Sequence, residues 1–192
     1  MNWTGVGSRD TPSKYWRQMR LLAKRLAELG YCLRSGKADG ADAVFQEGVQ
    51  LVGKDARAEI YKPWKSFNTH VNGDSYTLES GLVVKSWWDV DATKLPKFKE
   101  AEDIASEIHP AWPRLKQGAR SLHTRNVFQV LGPNLDHPSD FLVCYAPSQS
   151  QSVKGGTRTA YELAKLYNIP CFNYATQSHE EITLGIKEII LG

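Results

Sequence analysis

Apolar positions along the chain fall into two patterns: short unbroken runs, and longer stretches in which they recur at every third or fourth residue. The first is the mark of a buried strand and the second of an amphipathic helix. WTGVG (3–7) is a short strand ending in glycine, and Thr11-Pro12 has the form of an N-cap with proline at the first helical position. Tyr15, Met19, Leu22, Leu26 and Leu29 then trace one helix face, which Gly30 stops. The unit repeats at once: YCLRSG (31–36) is a strand, GKADG a loop, Ala41, Val44, Phe45 and Val49 a helix face, and AEIYKP (58–63) a third strand. Helical crossovers return the chain parallel, so these strands form a β-α-β-α-β half.

FLVCYA (141–146) is a nearly continuous apolar run, as a parallel strand buried on both faces requires. A polar loop leads to the helix of GGTRTAYELAKLYNIP, then to a strand CFNY and a last helix opened by Ser178-x-x-Glu181, a capping box. The pattern predicts an α/β fold: a Rossmann-like, three-layer α/β/α domain spanning 1–192, with a mostly parallel sheet of about five strands. Residues 62–113 break the rhythm. They hold Trp64, Trp87, Trp88 and Trp112, several prolines and one helical stretch from Phe98 to Ile108, and read as an aromatic-rich insertion. Such a segment serves as a lid over a site, or as cover for a sheet edge or a subunit contact.

With 41% hydrophobic and 23% charged residues in 192, the chain suits a soluble domain with a real core. No apolar run approaches the roughly 18 residues of a membrane span. MNWTGVGSRD lacks the basic-then-apolar pattern of a secretory leader, so a cytoplasmic protein without membrane contact is expected. A net charge of +3 does not by itself argue for nucleic acid. Basic residues are grouped, however: Lys14, Arg17, Arg20, Lys24 and Arg25, which read as a solvated helix face, and Arg114, Lys116, Arg120, His123 and Arg125. Cys32, Cys144 and Cys171, odd in number and without CxxC spacing, lie in strand-like runs and read as buried reduced thiols. His70, His109, His123, His137 and His179 show no ligand spacing; neither a metal site nor a cofactor is expected.

In a parallel sheet the strand-to-helix loops emerge together at the carboxyl edge, where ligands bind. Three of these loops carry glycine: GVGSR (5–9), SGKADGAD (35–42) and KGGTRT (154–159). Glycine lets backbone N–H groups approach an anion, and the following helix directs its positive end to the same point. Ser8, Ser35, Thr157 and Thr159 add hydroxyl donors, and Arg9 and Arg158 add charge. A phosphate or nucleotide pocket is the reading that fits all three loops.

TGVGSRDTP, LRSGKADGADAVFQEGV, LHTRNVFQVLG and GGTRTAYELAKLYNIP resemble, in the same order, the blocks of the DNA-processing protein A (DprA) family. The match places Gly7, Ser8 and Arg9 in the first block. Ser35, Gly36, Ala38, Gly40 and Asp42 fall in the second, Arg125 and Asn126 at a helix start in the third, and Thr159 and Ala160 in the fourth. Phe45 and Gln46 stand where that family has alanine and histidine, so any role of that histidine is lost. The resemblance implies the SLOG superfamily of Rossmann-like nucleotide-binding domains, whose members often dimerise and which includes stand-alone phage chains. It also includes the LOG phosphoribohydrolases. Gly155, Gly156, Thr159 and Glu162 fit the LOG "GGxGTxxE" spacing, with Arg158 in place of the third glycine.

Three functions follow from the resemblance. The first is binding of a phosphorylated nucleotide without turnover, as a sensor or sponge of a signalling nucleotide, with tryptophan to stack on the base. The second is DprA-like binding of single-stranded DNA in recombination, with phosphates along the loop edge and the Arg114 to Arg125 cluster. The third is cleavage of an N-glycosidic bond, which needs a carboxylate near the sugar and a cation on the phosphate; Glu162 and Arg125 are the candidate catalytic pair.

Overall fold

The computed structural model of the chain describes residues 1–68, 74–149 and 152–192. Its elements run β1 (Asn2–Gly7), α1 (Ser13–Glu28), β2 (Cys32–Ser35), α2 (Ala41–Gln50), β3 (Ala58–Lys62), a hairpin β4 (Ser75–Thr77) and β5 (Val83–Lys85), and β6 (Asp89–Asp91). They continue with α3 (Phe98–Ile108), α4 (Gln117–Leu131), β7 (Phe141–Tyr145), a small pair β8 (Ser148–Gln149) and β9 (Ser152–Val153), α5 (Arg158–Leu166), β10 (Cys171–Asn173) and α6 (His179–Leu191).

The main sheet has six strands in the order β10-β7-β1-β2-β3-β6, every pair parallel. Strand alternation sends successive side chains to opposite faces, and each face is covered. Trp3, Phe141 and Val143 pack with Met19, Leu22 and Leu26 of α1, Val44 and Phe45 of α2, and Ile182 and Ile186 of α6. Val6, Leu142 and Cys144 pack on the other side with Ala101 and Ala105 of α3, Val127, Phe128 and Leu131 of α4, and Ala160 and Leu163 of α5. Trp3 is fully buried, edge-on to Phe45 at 5.3 Å and stacked on Phe141 at 6.2 Å. Side chains of this size contribute roughly 1.5–3 kcal/mol each on burial.

The three-layer architecture is the predicted one, with a sixth strand instead of about five. That strand lies within 62–113. β6 pairs with β3 through Ile60, Tyr61 and Lys62, while the β4–β5 hairpin packs on α2, and α3 joins α4 in the opposite layer. Gln46, fully buried, donates to the Lys85 carbonyl at 2.7 Å, so this departure from the resembled family anchors the hairpin.

Two helix starts differ from expectation. α1 begins at Ser13 with Pro12, whose side chain has no acceptor, at the cap, and the Thr11 hydroxyl donates to the Ser8 carbonyl at 2.6 Å. Arg125 and Asn126 sit mid-helix in α4, which begins at Gln117. Gly30 does stop α1, at φ +81, and Ser178 and Glu181 form the expected capping box. Cys32 and Cys144 are buried, Cys171 is half-buried, and all three are free thiols. His70 lies outside the described residues. Among the described residues no helix is long and apolar enough to cross a membrane, and no group of three or more His, Cys, Asp or Glu could hold a metal ion.

Candidate functional site

The strand order reverses between β1 and β7, since β2, β3 and β6 lie to one side of β1 and β7 and β10 to the other. A parallel sheet leaves a crevice at such a switch point, beyond the carboxyl ends of the strands. Here it is a cavity of about 180 Å³. Gly7, Ser8 and Arg9 line it after β1, Ala38 and Asp42 beside α2, and Lys154, Gly155, Gly156 and Thr157 before α5. α4 supplies Leu122, Arg125, Asn126 and Gln129, positions that share one face because they are spaced by three or four residues.

Arg125 is the central cation. Its guanidinium donates through Nη1 to the Gly36 and Tyr61 carbonyls, the latter at 3.1 Å, and through Nε to Asn126 Oδ1 at 3.1 Å. Asn126 in turn donates to the Gly156 carbonyl at 2.6 Å, tying the helix to the glycine loop. Burial lowers the Arg125 pKa to about 10, with the Asp42 carboxylate opposing that shift and Arg9 adding to it. Burial raises Asp42 to about 6, against the pull of Arg125 and of the Ala38 and Gly7 N–H groups, the latter donating at 3.1 Å. Gln129 is 1% exposed, and both polar atoms of its carboxamide lack a hydrogen-bond partner. Buried polar groups are almost always paired, so this orphan amide, in a residue that also lines the cavity, is an exception.

Of the residues predicted from sequence, Gly7, Ser8, Arg9, Asp42, Arg125, Asn126, Gly155, Gly156 and Thr157 come together here. The others do not. The Ser35 hydroxyl is buried against the Gly5 carbonyl at 2.6 Å. Gly36 makes room for Arg125, since a Cβ there would lie 1.8 Å from Nη1. Gly40, at φ +76, packs on the Ser8 and Arg9 backbone. Thr159 is fully buried, 2.8 Å from His123 Nδ1. Arg158 and Glu162 line a separate cavity between α3 and α5, with Ile104, Ile108, Leu163 and Leu166. Helical period explains the displacement: Thr159, Ala160, Leu163 and Ala164 face the core, which turns Arg158 and Glu162 outward. Glu162 and Arg125, expected as a pair, therefore line different cavities, and the carboxylate in the Arg125 cavity is Asp42. Gln129 and Leu122 were not among the expected site residues, and Lys154 was expected only as the first residue of its glycine loop. The spacing of Leu122, Gln129 and Lys154 from the predicted residues was the available signal.

His123 carries a pH prediction. Burial, His109 at a ring distance of 4.3 Å and the Arg125 charge lower its pKa from 6.5 to about 4. Between those values the unfolded chain binds the proton and the folded one does not, so stability is lost as pH falls through that window. From about pH 7.5 to about pH 4.5, urea unfolding of the wild type should lose about 2–3 kcal/mol more than that of His123→Gln. Equal losses would show that His123 is protonated in the fold.

No protein-family model matches the chain, and no curated protein matches it. Among solved structures it is similar to DNA processing protein A from Helicobacter pylori, described for its single-stranded DNA binding mode. The similarity covers 98% of this chain and 73% of that one, at 17% identity and a TM-score of 0.52. The parallel six-stranded sheet, helices on both faces and glycine loops at the switch point thus give this chain the DprA-like, Rossmann-type fold.

Proposed function

We propose that the protein binds the phosphate groups of single-stranded DNA, or of a free nucleotide presenting the same group, in the cavity between β1 and β7. The observation that carries this reading is the lining itself: Arg9, Arg125 and Lys154 surround exposed glycine backbone at Gly155 and Gly156, ahead of α5. Cations and unobstructed N–H groups at a helix start suit an anion. The cavity is smaller than the roughly 300 Å³ at which sites for whole small molecules begin, which fits enclosure of part of a nucleotide. The similar Helicobacter pylori protein, whose structure is described for single-stranded DNA binding, supports the same ligand class.

The test is fluorescence anisotropy of a labelled oligothymidylate, with nucleoside monophosphates as competitors. A Cβ at Gly156 meets nothing within 4 Å, so Gly156→Val fills only the space left for ligand. It should fold as the wild type does and bind at least about tenfold more weakly, a loss of about 1.4 kcal/mol. Glu162→Gln should bind like the wild type. With three cations at the cavity, log affinity should fall with log salt at a slope of roughly −2. Full affinity in Gly156→Val, or a flat salt response, would sink the reading. Free base released by the wild type and by Glu162→Gln, but not by Asp42→Asn, would instead assign turnover to this cavity.

A further inference from the structure

Two tryptophans outside the cavity are exposed, Trp64 at 36% and Trp87 at 38%. Neither is a loose side chain. Trp64 stands edge-on to buried Phe67 at 5.1 Å, and Phe67 lies 6.0 Å from the Arg125 guanidinium. Trp87 stands edge-on to Trp88 at 5.4 Å and donates to Asp74 Oδ2 at 2.8 Å, while Trp88 is fixed by its own bond to the Ala56 carbonyl at 2.9 Å.

Both tryptophan segments are fastened to one buried residue, Lys37, next in sequence to Ala38 of the cavity lining. Asn68 donates to the Lys37 carbonyl at 2.8 Å, which holds the Trp64–Phe67 turn. The Lys37 ammonium donates to Ser86 Oγ at 2.9 Å and Asp89 Oδ2 at 2.6 Å, which holds the chain on either side of Trp87 and Trp88. Lys37 is fully buried with φ +58, a conformation that a lysine keeps only when its surroundings enforce it. Its neighbours Gly36 and Ala38 respectively accept from Arg125 and line the cavity. Lys62 shares Asp89 at 3.3 Å, so two buried ammonium groups face one carboxylate and the cluster is net positive. Asp74, the carboxylate beside Trp87, is offset by Lys85 at 3.3 Å.

Rigid, exposed aromatic rings fastened to the segment that lines an anion cavity meet the physical requirement for holding an unpaired strand, whose bases stack while its phosphates are drawn to positive charge. We propose that Trp64 and Trp87 are base-stacking steps that extend the cavity into a track for single-stranded nucleic acid. The inference rests on the phosphate-binding reading of the cavity and adds a length requirement: several nucleotides, not one, fill the site.

Affinity is measured by anisotropy and competition for thymidine monophosphate and for oligothymidylates of about 2, 6 and 12 residues. The proteins are the wild type, Trp64→Ala, Trp87→Ala and Trp64→Phe, with melting curves to confirm folding. Wild-type affinity should rise with length. Each alanine variant should bind the longest strand about 5- to 100-fold more weakly and bind the monophosphate unchanged, and Trp64→Phe should keep most of the affinity that Trp64→Ala loses. Tryptophan fluorescence of the wild type should be quenched by the oligomers and not by the monophosphate. If the wild type binds the longest strand and both alanine variants match it, the stacking track is overturned and the cavity reading stands; an affinity independent of length has the same meaning. If the wild type binds neither strand nor monophosphate, the cavity reading fails and the track falls with it.

Discussion

Arg125→Met is expected to lose all measurable binding at the cavity and about 3–5 kcal/mol of folding stability. The side chain is 5% exposed and serves three acceptors, the Gly36 and Tyr61 carbonyls and Asn126 Oδ1. Methionine fills much of the same volume but donates to none of them, and buried acceptors left without a donor each cost about 1–3 kcal/mol. Asp42, already raised to about 6 by burial, loses the cation that opposes the shift. Its folded pKa should climb further above the ordinary value of 3.8, so the variant should lose stability as pH rises from near 4 through that higher value. Urea unfolding at about pH 5 and about pH 8 checks the sign: the deficit relative to wild type should be smaller in acid. Asp42→Asn combined with Arg125→Met removes the stranded charge and should recover part of the stability without recovering binding. A single variant that unfolds like the wild type at both pH values would mean that Arg125 is not held as described.

The three layers were legible because apolar runs and helical spacing are set by burial itself. FLVCYA needs apolar side chains in both directions since Phe141 and Val143 meet one layer and Leu142 and Cys144 the other. β6 was not legible for the opposite reason. Asp-Val-Asp carries no apolar run, and its place is fixed by backbone pairing to β3 and by Asp89 between Lys37 and Lys62. The glycine loops were found by composition, but composition does not give direction. Glu162 lies within the same quoted segment as Gly155 and Gly156, yet the helix turns it toward α3, where it lines a cavity with Ile104 and Ile108. Gln129 was hidden among the buried residues Val127, Phe128, Val130 and Leu131, and only the structure shows that it lines the cavity and that its carboxamide is unpaired.

Gly7→Ala should be a severely damaging one-methyl change at the site, costing about 3 kcal/mol or more and lowering Tm by about 6–12 °C. A Cβ at Gly7 would stand 2.5 Å from the Tyr145 carbonyl oxygen, 2.9 Å from the Tyr145 nitrogen and 2.6 Å from Ala41 Cβ. Two of these atoms belong to the backbone of β7, which pairs with β1 in this register, and the third opens α2. None can rotate away, unlike the end of a long side chain, so strand and helix must separate. The same carbonyl accepts from Ser8 N at 2.8 Å, and the Gly7 N–H serves Asp42, so the loop would move with them. Gly7→Ala should therefore lose stability and binding together, whereas Gly156→Val, with open space around its Cβ, should lose binding alone. Adding Ala41→Gly to Gly7→Ala relieves the helix contact and not the two strand contacts, and should restore only a minor part of the lost Tm. A Gly7→Ala protein with unchanged Tm would mean that β1 and β7 can part at their carboxyl ends without cost, and the cavity between them could not then be a fixed one.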